Sequence, residues 1–514
     1  MSKTIIIIGA GLAGLSAALQ AAENGCNVKL VSSLPSERAQ SVMAEGGINA
    51  ALNTKDENDS PEEHFTDTIK AACGLADPNA VWGMTQAAPE LVHWLLKLGV
   101  KFNMSGYDDV DLRNFGGQKK KRTAFAQSDT GKQIMTAMID AVRRKEASGM
   151  VERFSHHSFL TLRLCDNICC GCVIRDEYSQ ETVELPGDAV IVATGGMHGL
   201  FGNTTGSLSN TGEVTAELFR LGVPLANGEM IQYHPTTVKC GGKRMLISEA
   251  ARGEGGRLFA MKDGKQWYFM EEKYPEFGNL MPRDITAREI WKVSHESEVF
   301  LDMTEISEEI ISNKLSGLAD DCMTYLHKGI RKEPVSVLPG IHYFMGGILV
   351  DEQHRTPIQN LCAAGECCAQ YHGANRLGGN SLLGALYGGR VAAKSACEQA
   401  DVVDLSCATQ IDFPPASQIS EIKQLNKVMQ ETMGVVRNEN TLLNGIQTVQ
   451  ALTGNLPLLG MAVLKSALAR KESRGAHWRE DYPKSNDDDY LKTTVARFDG
   501  NQIQISFVPV PERR

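Results

Sequence analysis

The chain has 514 residues, of which 42% are hydrophobic and 22% charged, a composition typical of a folded protein with several domains. Its formal net charge of −10 argues against nucleic acid as the main partner. No apolar stretch approaches the length of a membrane span. The apolar run Thr4–Ile8 ends at once in glycines, which is typical of a strand and not of a signal peptide.

A βαβ unit with a glycine turn opens the chain. The pattern predicts a buried parallel strand at Thr4–Ile8, a helix at Leu15–Asn24 and a second strand at Asn27–Ser32. The turn between the first strand and the helix has the G-x-G-x-x-G spacing that places a pyrophosphate on a helix N-terminus. We therefore predict that a dinucleotide binds here, at Gly9, Gly11, Ala13 and Gly14.

The end of the second strand favours FAD over NAD. It finishes Val31-Ser32-Ser33, without the acidic residue that usually holds an NAD ribose. Ser32 or Ser33 can hold the adenosine ribose of FAD. We predict that two more glycine-rich stretches lie close to the same cofactor. They are Ser41–Asn49 and the end of the strand within Gly187–Gly196. The predicted contact residues are Ser41, Ala44, Gly46, Gly47, Ala193, Thr194 and Gly195.

The remaining pattern predicts an α/β fold with insertions. Residues 151–186 are typical of an antiparallel sheet, and the dinucleotide fold resumes at Gly346–Asp351 and Asn360–Gly365. We predict a Rossmann-like FAD-binding domain, an inserted α+β capping domain and a C-terminal helical domain. The FAD-binding domain is placed at 1–227 and 341–404, the capping domain at 228–340, the helical domain at 405–485 and a tail at 486–514.

Residues 372–381 form a glycine-rich turn that leads into a helix. Free N–H groups at a helix N-terminus attract an anion, and Arg376 adds a planar fork that suits a carboxylate. We predict that a flavin and a small dicarboxylate meet here, with Ser381 and Leu382 at the flavin ring.

Other polar clusters are predicted to join this turn. They lie at 232–236, 248–256, 282–284 and 342–347 and together carry several arginines and histidines. This set favours a dianion. The histidines lack the local spacing of metal ligands, so we predict no metal site. The 13 cysteines are interpreted as buried or free thiols of a reducing cytoplasm.

These motifs, together with Ala469–His477 near the C-terminus, closely resemble the flavoprotein subunit of fumarate reductase and succinate dehydrogenase. The resemblance covers nearly the whole chain, and the superfamily includes L-aspartate oxidase. It implies that fumarate is held by His234, Ser248, His342 and Arg376, with Phe115 beside them. It implies further that Arg283 donates a proton supplied through Glu249 and Arg252. Glu213 and Glu366 are added to the predicted FAD contacts.

One residue departs from the pattern of the membrane-bound members. They attach FAD covalently through a histidine, and Gln40 stands at that position here. An amide cannot form that bond, so we predict non-covalent FAD, which favours the reductive direction or an oxidase.

Several alternatives remain open. L-aspartate oxidase shares the non-covalent cofactor, but the loop Arg113–Gly117 has the reductase form, in which Phe115 offers no partner for an amine. A reductase of another unsaturated acid and a non-catalytic electron-transfer module are also considered. The resemblance implies an iron–sulfur partner subunit, with a direct flavin- or NADH-linked donor as the alternative. It implies a cytoplasmic location, at most peripheral to the membrane through partners.

Overall fold

The computed structural model describes residues 2–106, 109–399, 411, 413 and 419–514. The helices in chain order are α1 Leu12–Glu23, α2 Pro61–Ala71, α3 Pro78–Leu98, α4 Thr130–Ala147, α5 Glu213–Arg220, α6 Glu249–Gly253, α7 Phe269–Lys273, α8 Arg283–Val293, α9 Glu308–Lys314, α10 Ser316–Asp321, α11 Asn380–Gln399, α12 Ile419–Thr432, α13 Glu439–Gln450, α14 Asn455–Ala469 and α15 Asp487–Tyr490.

The first strands in chain order are β1 Thr4–Ile8, β2 Asn27–Ser32, β3 Ile48–Asn49, β4 Leu112–Arg113, β5 Thr123–Ala124, β6 Val151–Ser155, β7 His157–Cys165, β8 Ile168–Asp176, β9 Thr182–Pro186, β10 Ala189–Val192 and β11 Leu225–Ala226. They are followed by β12 Ile231–Cys240, β13 Lys243–Leu246, β14 Arg257–Lys262, β15 Lys265–Trp267, β16 Val299–Asp302, β17 Val335–Ser336, β18 Leu338–Phe344, β19 Gly347–Leu349, β20 Leu361–Ala363, β21 Cys368–Ala369, β22 Lys492–Phe498 and β23 Ile503–Pro509.

A five-stranded parallel sheet in the order β20-β10-β1-β2-β6 is the frame of the molecule. The continuous apolar run of β1 is explained by burial on both faces. Ile5 and Ile7 pack into one core with α1, α3, α4 and α11, whereas Ile6 and Ile8 pack into a second core with β8 and β10. The parallel sheet and its helices confirm the predicted α/β fold class.

The sequence prediction for residues 151–186 is only partly right. β7, β8 and β9 form the expected antiparallel sheet, but β6 pairs in parallel with β2 at the edge of the main sheet. The two strands predicted to resume the dinucleotide fold after the insertion also belong to different sheets. β20 joins the main sheet, whereas β19 belongs to a mixed sheet in the order β21-β19-β11-β22-β23. The C-terminal strands are therefore integrated into this mixed sheet.

The inserted region has its own core. The sheets β13-β12-β18 and β15-β14-β16-β17 surround apolar side chains from α6, α8, α9 and α10. A separate core joins α12, α13 and α14 to α5. The domain boundaries themselves stay a prediction, and the boundary at 404/405 lies outside the described residues.

Two other findings concern the whole described chain. Within its described ranges, no helix is both long and apolar enough to cross a membrane. Eleven of the described cysteines are free thiols, as predicted. Cys165 is disulfide-bonded, so the prediction of free thiols is wrong for this residue.

Candidate functional site

A cavity of about 930 Å³ runs from the carboxyl ends of β1 and β2 to the inserted region. The N-termini of α1 and α11 both open into it, through Gly11 and Leu12 on one helix and Ser381 and Leu382 on the other. Ligands of open α/β sheets bind at this edge, because loops and helix N-termini converge there.

The three glycines of the first turn have different surroundings. Gly9 has a φ of +113°, and a Cβ there would lie 2.2 Å from the carbonyl oxygen of Ala193. A Cβ at Gly14 would lie 1.8 Å from the carbonyl oxygen of Gly9. At Gly11 the nearest atom to an added Cβ is Ser41 Oγ, 3.6 Å away. Gly9 and Gly14 thus permit close packing, whereas Gly11 leaves open the space beside the helix N-terminus.

The polar groups at this end fit a dinucleotide. The hydroxyl of Ser32 is buried without a hydrogen-bond partner and lines the cavity, where a ribose hydroxyl would satisfy it. The first turn of α1 has no acidic residue; the N–H of Leu12 donates to Ser41 Oγ at 3.3 Å, and the N–H of Ala13 stays available for a pyrophosphate. The cavity therefore fits FAD, with Ser32 at the ribose and the Gly11–Ala13 backbone at the phosphates.

Nearly all the predicted FAD contacts line this cavity. They are Gly9, Gly11, Ala13, Ser32, Ser41, Ala44, Gly46, Gly47, Ala193, Thr194, Gly195, Glu213, Glu366, Arg376, Ser381 and Leu382. Gly14 is the exception, because its position against Gly9 places it behind the cavity wall. Its role is in packing helix against strand.

At the other end of the cavity, Arg283 and Glu249 form a buried ion pair. Both stand at the first position of their helices, α8 and α6. Arg283 Nε donates to Glu249 Oε2 at 2.8 Å, and its Nη2 lies 2.7 Å from the same oxygen. Nη1 of Arg283 donates to Gln232 Oε1 at 3.1 Å. The guanidinium is therefore fixed in direction and borders the cavity.

Arg252 lies behind this pair. Its Nη2 is 3.5 Å from Glu249 Oε1, which also accepts the N–H of Gly116 at 2.9 Å. Arg252 does not line the cavity, so Glu249 separates it from a ligand there. Burial alone would raise the pKa of Glu249, but the guanidinium groups of Arg283 and Arg252 hold that pKa below its usual value. Glu249 is thus an anionic bridge between the two arginines.

Arg376 faces the cavity from the turn before α11. Its guanidinium carbon lies 4.3 Å from the ring centre of Tyr343, and its Nε is buried without a hydrogen-bond partner. Burial, with the charge of Arg283 nearby, lowers the pKa of Arg376 to about 9. A carboxylate in the cavity would both pair with Nε and relieve this repulsion.

Two neutral histidines complete this end of the cavity. The rings of His234 and His342 lie 5.2 Å apart. Burial holds the pKa of both well below the usual value, and the charge of Arg283 adds to the effect. Nδ1 of His342 is 2.8 Å from Thr205 Oγ1, which leaves its Nε2 to form a hydrogen bond with a ligand.

The predicted substrate residues thus converge, but several contributors were not predicted. His234, Ser248, Phe115, Arg283 and His342 all line the cavity with Arg376. Gln232, Thr205 and Tyr343 were missed as site residues, although each holds a predicted one in place. Gln232 and Tyr343 stand within the noted polar clusters, which was a usable signal. Nothing near Thr205 in the sequence signals its approach to His342.

Glu45 is a further residue that was not predicted. Its Oε2 is buried without a partner on the cavity wall. Burial, reinforced by the charge of Asp321, raises the pKa of Glu45 to about 8. Between its usual value of 4.5 and about 8 the folded protein binds more protons than the unfolded chain, so this group lowers stability as pH rises through that window.

We expect Glu45→Gln to remove this pH dependence, because the amide cannot ionise. The thermal midpoint of the holoprotein should nearly equal that of the parent near pH 4 and exceed it by a few degrees near pH 8. Glu37→Gln, at an exposed carboxylate paired with Arg143, is the control and should show no such trend. A difference between Glu45→Gln and parent that is the same at both pH values would contradict the assignment.

Within the described ranges, no group of three histidine, cysteine, aspartate or glutamate side chains is arranged to hold a metal ion. What the cavity offers is instead a dinucleotide site continuous with a cationic pocket. Around Glu249 and Arg376 there are three guanidinium groups, of Arg252, Arg283 and Arg376, and two carboxylates, of Glu249 and Glu366. The excess positive charge suits a dianionic ligand.

The fold and the cavity define an FAD-binding oxidoreductase. The family model for the FAD binding domain matches residues 4–382, and the model for the fumarate reductase flavoprotein C-terminal region matches 453–513. The chain belongs to the family of succinate dehydrogenase and fumarate reductase flavoprotein subunits.

Individual relatives agree with this assignment. The succinate dehydrogenase flavoprotein subunit of Bacillus subtilis is 39% identical over 96% of this chain and 94% of its own. The 8-methylmenaquinol:fumarate reductase flavoprotein subunit of Wolinella succinogenes is 32% identical over 97% and 89%, respectively. Among solved structures, a chain of E. coli quinol fumarate reductase matches with a TM-score of 0.89 and 27% identity, over 99% of this chain and 97% of that one.

Proposed function

We propose that this flavoprotein reduces fumarate to succinate. The observation that carries the proposal is the cationic pocket at one end of an FAD-shaped cavity, where Arg283, Arg376 and two neutral histidines face the same space. A planar dicarboxylate is small enough for this space and supplies two negative charges. Bound FAD supplies the hydride for the reduction.

The residues of the pocket have distinct proposed roles. Arg376, His234, His342 and Ser248 hold the two carboxylates, and both histidine rings are uncharged because burial holds their pKa well below the usual value. Charge that develops on one carboxylate during the reaction is stabilised by the fixed arginines. Phe115, 2% exposed, packs against Gly46 and Gly378 and forms an apolar wall.

Arg283 is the proposed proton donor to the alkene carbon. The contacts of Arg283 with Glu249, and of Glu249 with Arg252, supply a route by which the lost proton is replaced. Both partners are buried, so the route excludes bulk water from the reacting carbons. Contacts on three nitrogens hold the guanidinium in one orientation, and the carbanion-like acceptor carbon is basic enough to take a proton even from arginine.

FAD is proposed to be non-covalent, because Gln40 lines the cavity where a linking histidine is expected. We expect precipitation with acid to release all of the flavin. The supernatant should then be yellow and carry the full FAD absorbance, and the protein pellet should be colourless. Flavin that stays with the pellet after washing would contradict the proposal.

The partner and the location are also proposed. The named relatives are flavoprotein subunits, which supports assembly with a second subunit that delivers electrons. By resemblance we propose an iron–sulfur protein for that role. The chain would then work in the cytoplasm, held at the membrane through its partners.

The deciding experiment is anaerobic turnover of the isolated holoprotein with reduced viologen, which makes a partner unnecessary. Fumarate should be consumed with succinate formed in equal amount. Related enoates, succinate with an artificial acceptor, and L-aspartate with oxygen are run in parallel. Peroxide and oxaloacetate from aspartate, without fumarate reduction, would replace the proposal by L-aspartate oxidase. Succinate oxidation that exceeds fumarate reduction would reverse the proposed direction.

A further inference from the structure

Two cysteines that are 371 positions apart meet behind the cofactor cavity. Cys26 follows the C-terminus of α1, and Cys397 lies near the C-terminus of α11. Their Sγ atoms are 3.0 Å apart, and both are free thiols. Disulfide formation requires a sulfur–sulfur distance of about 2.05 Å, so a movement of roughly 1 Å would close the pair.

The surroundings hold the two thiols in this position. Lys3 Nζ donates to the carbonyl oxygen of Cys397 at 2.7 Å, which ties the end of α11 to the start of β1. α1 and α11 pack closely against each other. Ser16 Oγ donates to Leu386 O at 2.6 Å. At Gly389 the two backbones approach so closely that an added Cβ would lie 2.3 Å from Ala13 O. These contacts hold the C-terminal ends of the two helices beside each other.

The position of the pair gives it a structural consequence. The N-termini of α1 and α11 face the FAD-shaped cavity, whereas the two cysteines lie at the opposite ends of the same helices. A covalent bond between these ends would fix the helix pair that frames the cofactor. It would also close a very long loop in the unfolded chain, the case in which a cross-link stabilises most.

We propose that Cys26 and Cys397 are a redox-responsive pair that closes to a disulfide when a small-molecule disulfide is the oxidant. Cys397, the more exposed of the two, attacks the oxidant as a thiolate, forms a mixed disulfide and releases one thiol. Cys26, 5% exposed and next to it, then displaces the second thiol. Two protein thiols are oxidised, one oxidant molecule is reduced to two thiols, and no other reactant is needed.

The surroundings also set the pace of the reaction. Burial, with the hydrogen bond to Cys26, raises the pKa of Cys397 to about 12, and the ammonium of Lys3 opposes this shift. The thiolate is therefore scarce at neutral pH, and closure should be slow there and faster in mildly alkaline buffer. The pair thus responds to sustained oxidation.

The test is peptide mapping of the holoprotein after incubation with oxidised glutathione near pH 8.5, where more thiolate is present. Free thiols are alkylated before digestion without reductant. We expect a cross-linked peptide that joins Cys26 to Cys397, lighter by two hydrogen atoms than the sum of its parts and reversed by dithiothreitol. The oxidised protein should melt several degrees higher than the reduced one.

Matched variants distinguish the specific cross-link between Cys26 and Cys397 from general oxidation of cysteines. Cys26→Ser and Cys397→Ser should each abolish both the cross-link and the rise in melting temperature. Cys73→Ser should retain the cross-link and the rise in melting temperature, since Cys73 is a partly exposed thiol that donates a hydrogen bond to the carbonyl oxygen of Ala71. Full alkylation of both cysteines, or glutathione that stays on Cys397, would overturn the proposal. A cross-link without a change in melting temperature would overturn its stabilising role.

Discussion

Replacing Arg283 by glutamine is expected to lower the rate of fumarate reduction by roughly a thousandfold while FAD stays bound. The side chain is 7% exposed and makes three polar contacts, two with Glu249 and one with Gln232, which aim it into the cavity. Glutamine keeps a polar group there but provides neither the positive charge nor a proton. FAD should remain because the residues that fit its phosphates and ribose lie on other elements.

Arg283→Lys sharpens this result. Lysine keeps the charge, yet it cannot contact Glu249 and Gln232 at once with a planar fork, so the donor is no longer aimed. We expect nearly as large a loss. Arg288→Gln is the matched control, because Arg288 lies on the same helix and stacks on Trp478 at 4.0 Å, away from the cavity. Rates come from anaerobic turnover with reduced viologen, and the flavin content from the visible spectrum.

Turnover within tenfold of the parent in Arg283→Gln would remove Arg283 from its proposed role. Loss of activity accompanied by loss of FAD or a large drop in melting temperature would instead show a structural effect. Removal of one partner from a buried ion pair costs about 3–5 kcal/mol. The cost should be lower in this variant, because Arg252 still neutralises part of the charge on Glu249.

The second large effect is expected at Gly11. Gly11→Val should fold, because its φ of −79° suits any residue and nothing lies within 3.6 Å of an added Cβ. The new side chain would occupy the space beside the N-terminus of α1, where we place the pyrophosphate. We expect FAD to bind about a hundredfold more weakly, which corresponds to about 2.7 kcal/mol.

Gly14→Ala should have a different outcome. Its Cβ would overlap the carbonyl oxygen of Gly9, so helix and strand must separate and the stability of the fold falls. Gly242→Val is the control, since an added Cβ there meets nothing within 4 Å. FAD affinity is measured by titration of the apoprotein and stability by thermal unfolding. Parental FAD affinity in Gly11→Val would place the pyrophosphate elsewhere.

The secondary structure near the N-terminus could be predicted from the sequence because its signals are local. Thr4–Ile8 and Asn27–Ser32 are strands with the predicted bounds, and the glycine turn lies between β1 and α1. The predicted helix began at Leu15, whereas α1 begins at Leu12. The glycine turn merges into the helix, and no side-chain cap marks where it starts.

Pairings between distant segments could not be predicted in this way. Val151–Ser155 and His157–Cys165 are separated by one residue, yet they belong to different sheets. His156, with a φ of +60°, marks the change of direction between them. β6 pairs with β2, more than a hundred residues earlier in the chain, and no local pattern specifies that partner.

The sequence alone determined the family and predicted the glycine-framed cofactor site and the charged residues of the cationic pocket, because these rest on residue types at short, fixed spacings. Only the tertiary structure decided that Thr205 contacts His342, that Arg252 lies behind Glu249, and that burial, together with the charge of Asp321, raises the pKa of Glu45. It also brought Cys26 to Cys397. Each of these depends on burial and on contacts between segments far apart in the chain. A pKa or a hydrogen bond is set by what surrounds a group in space, which the linear order does not contain.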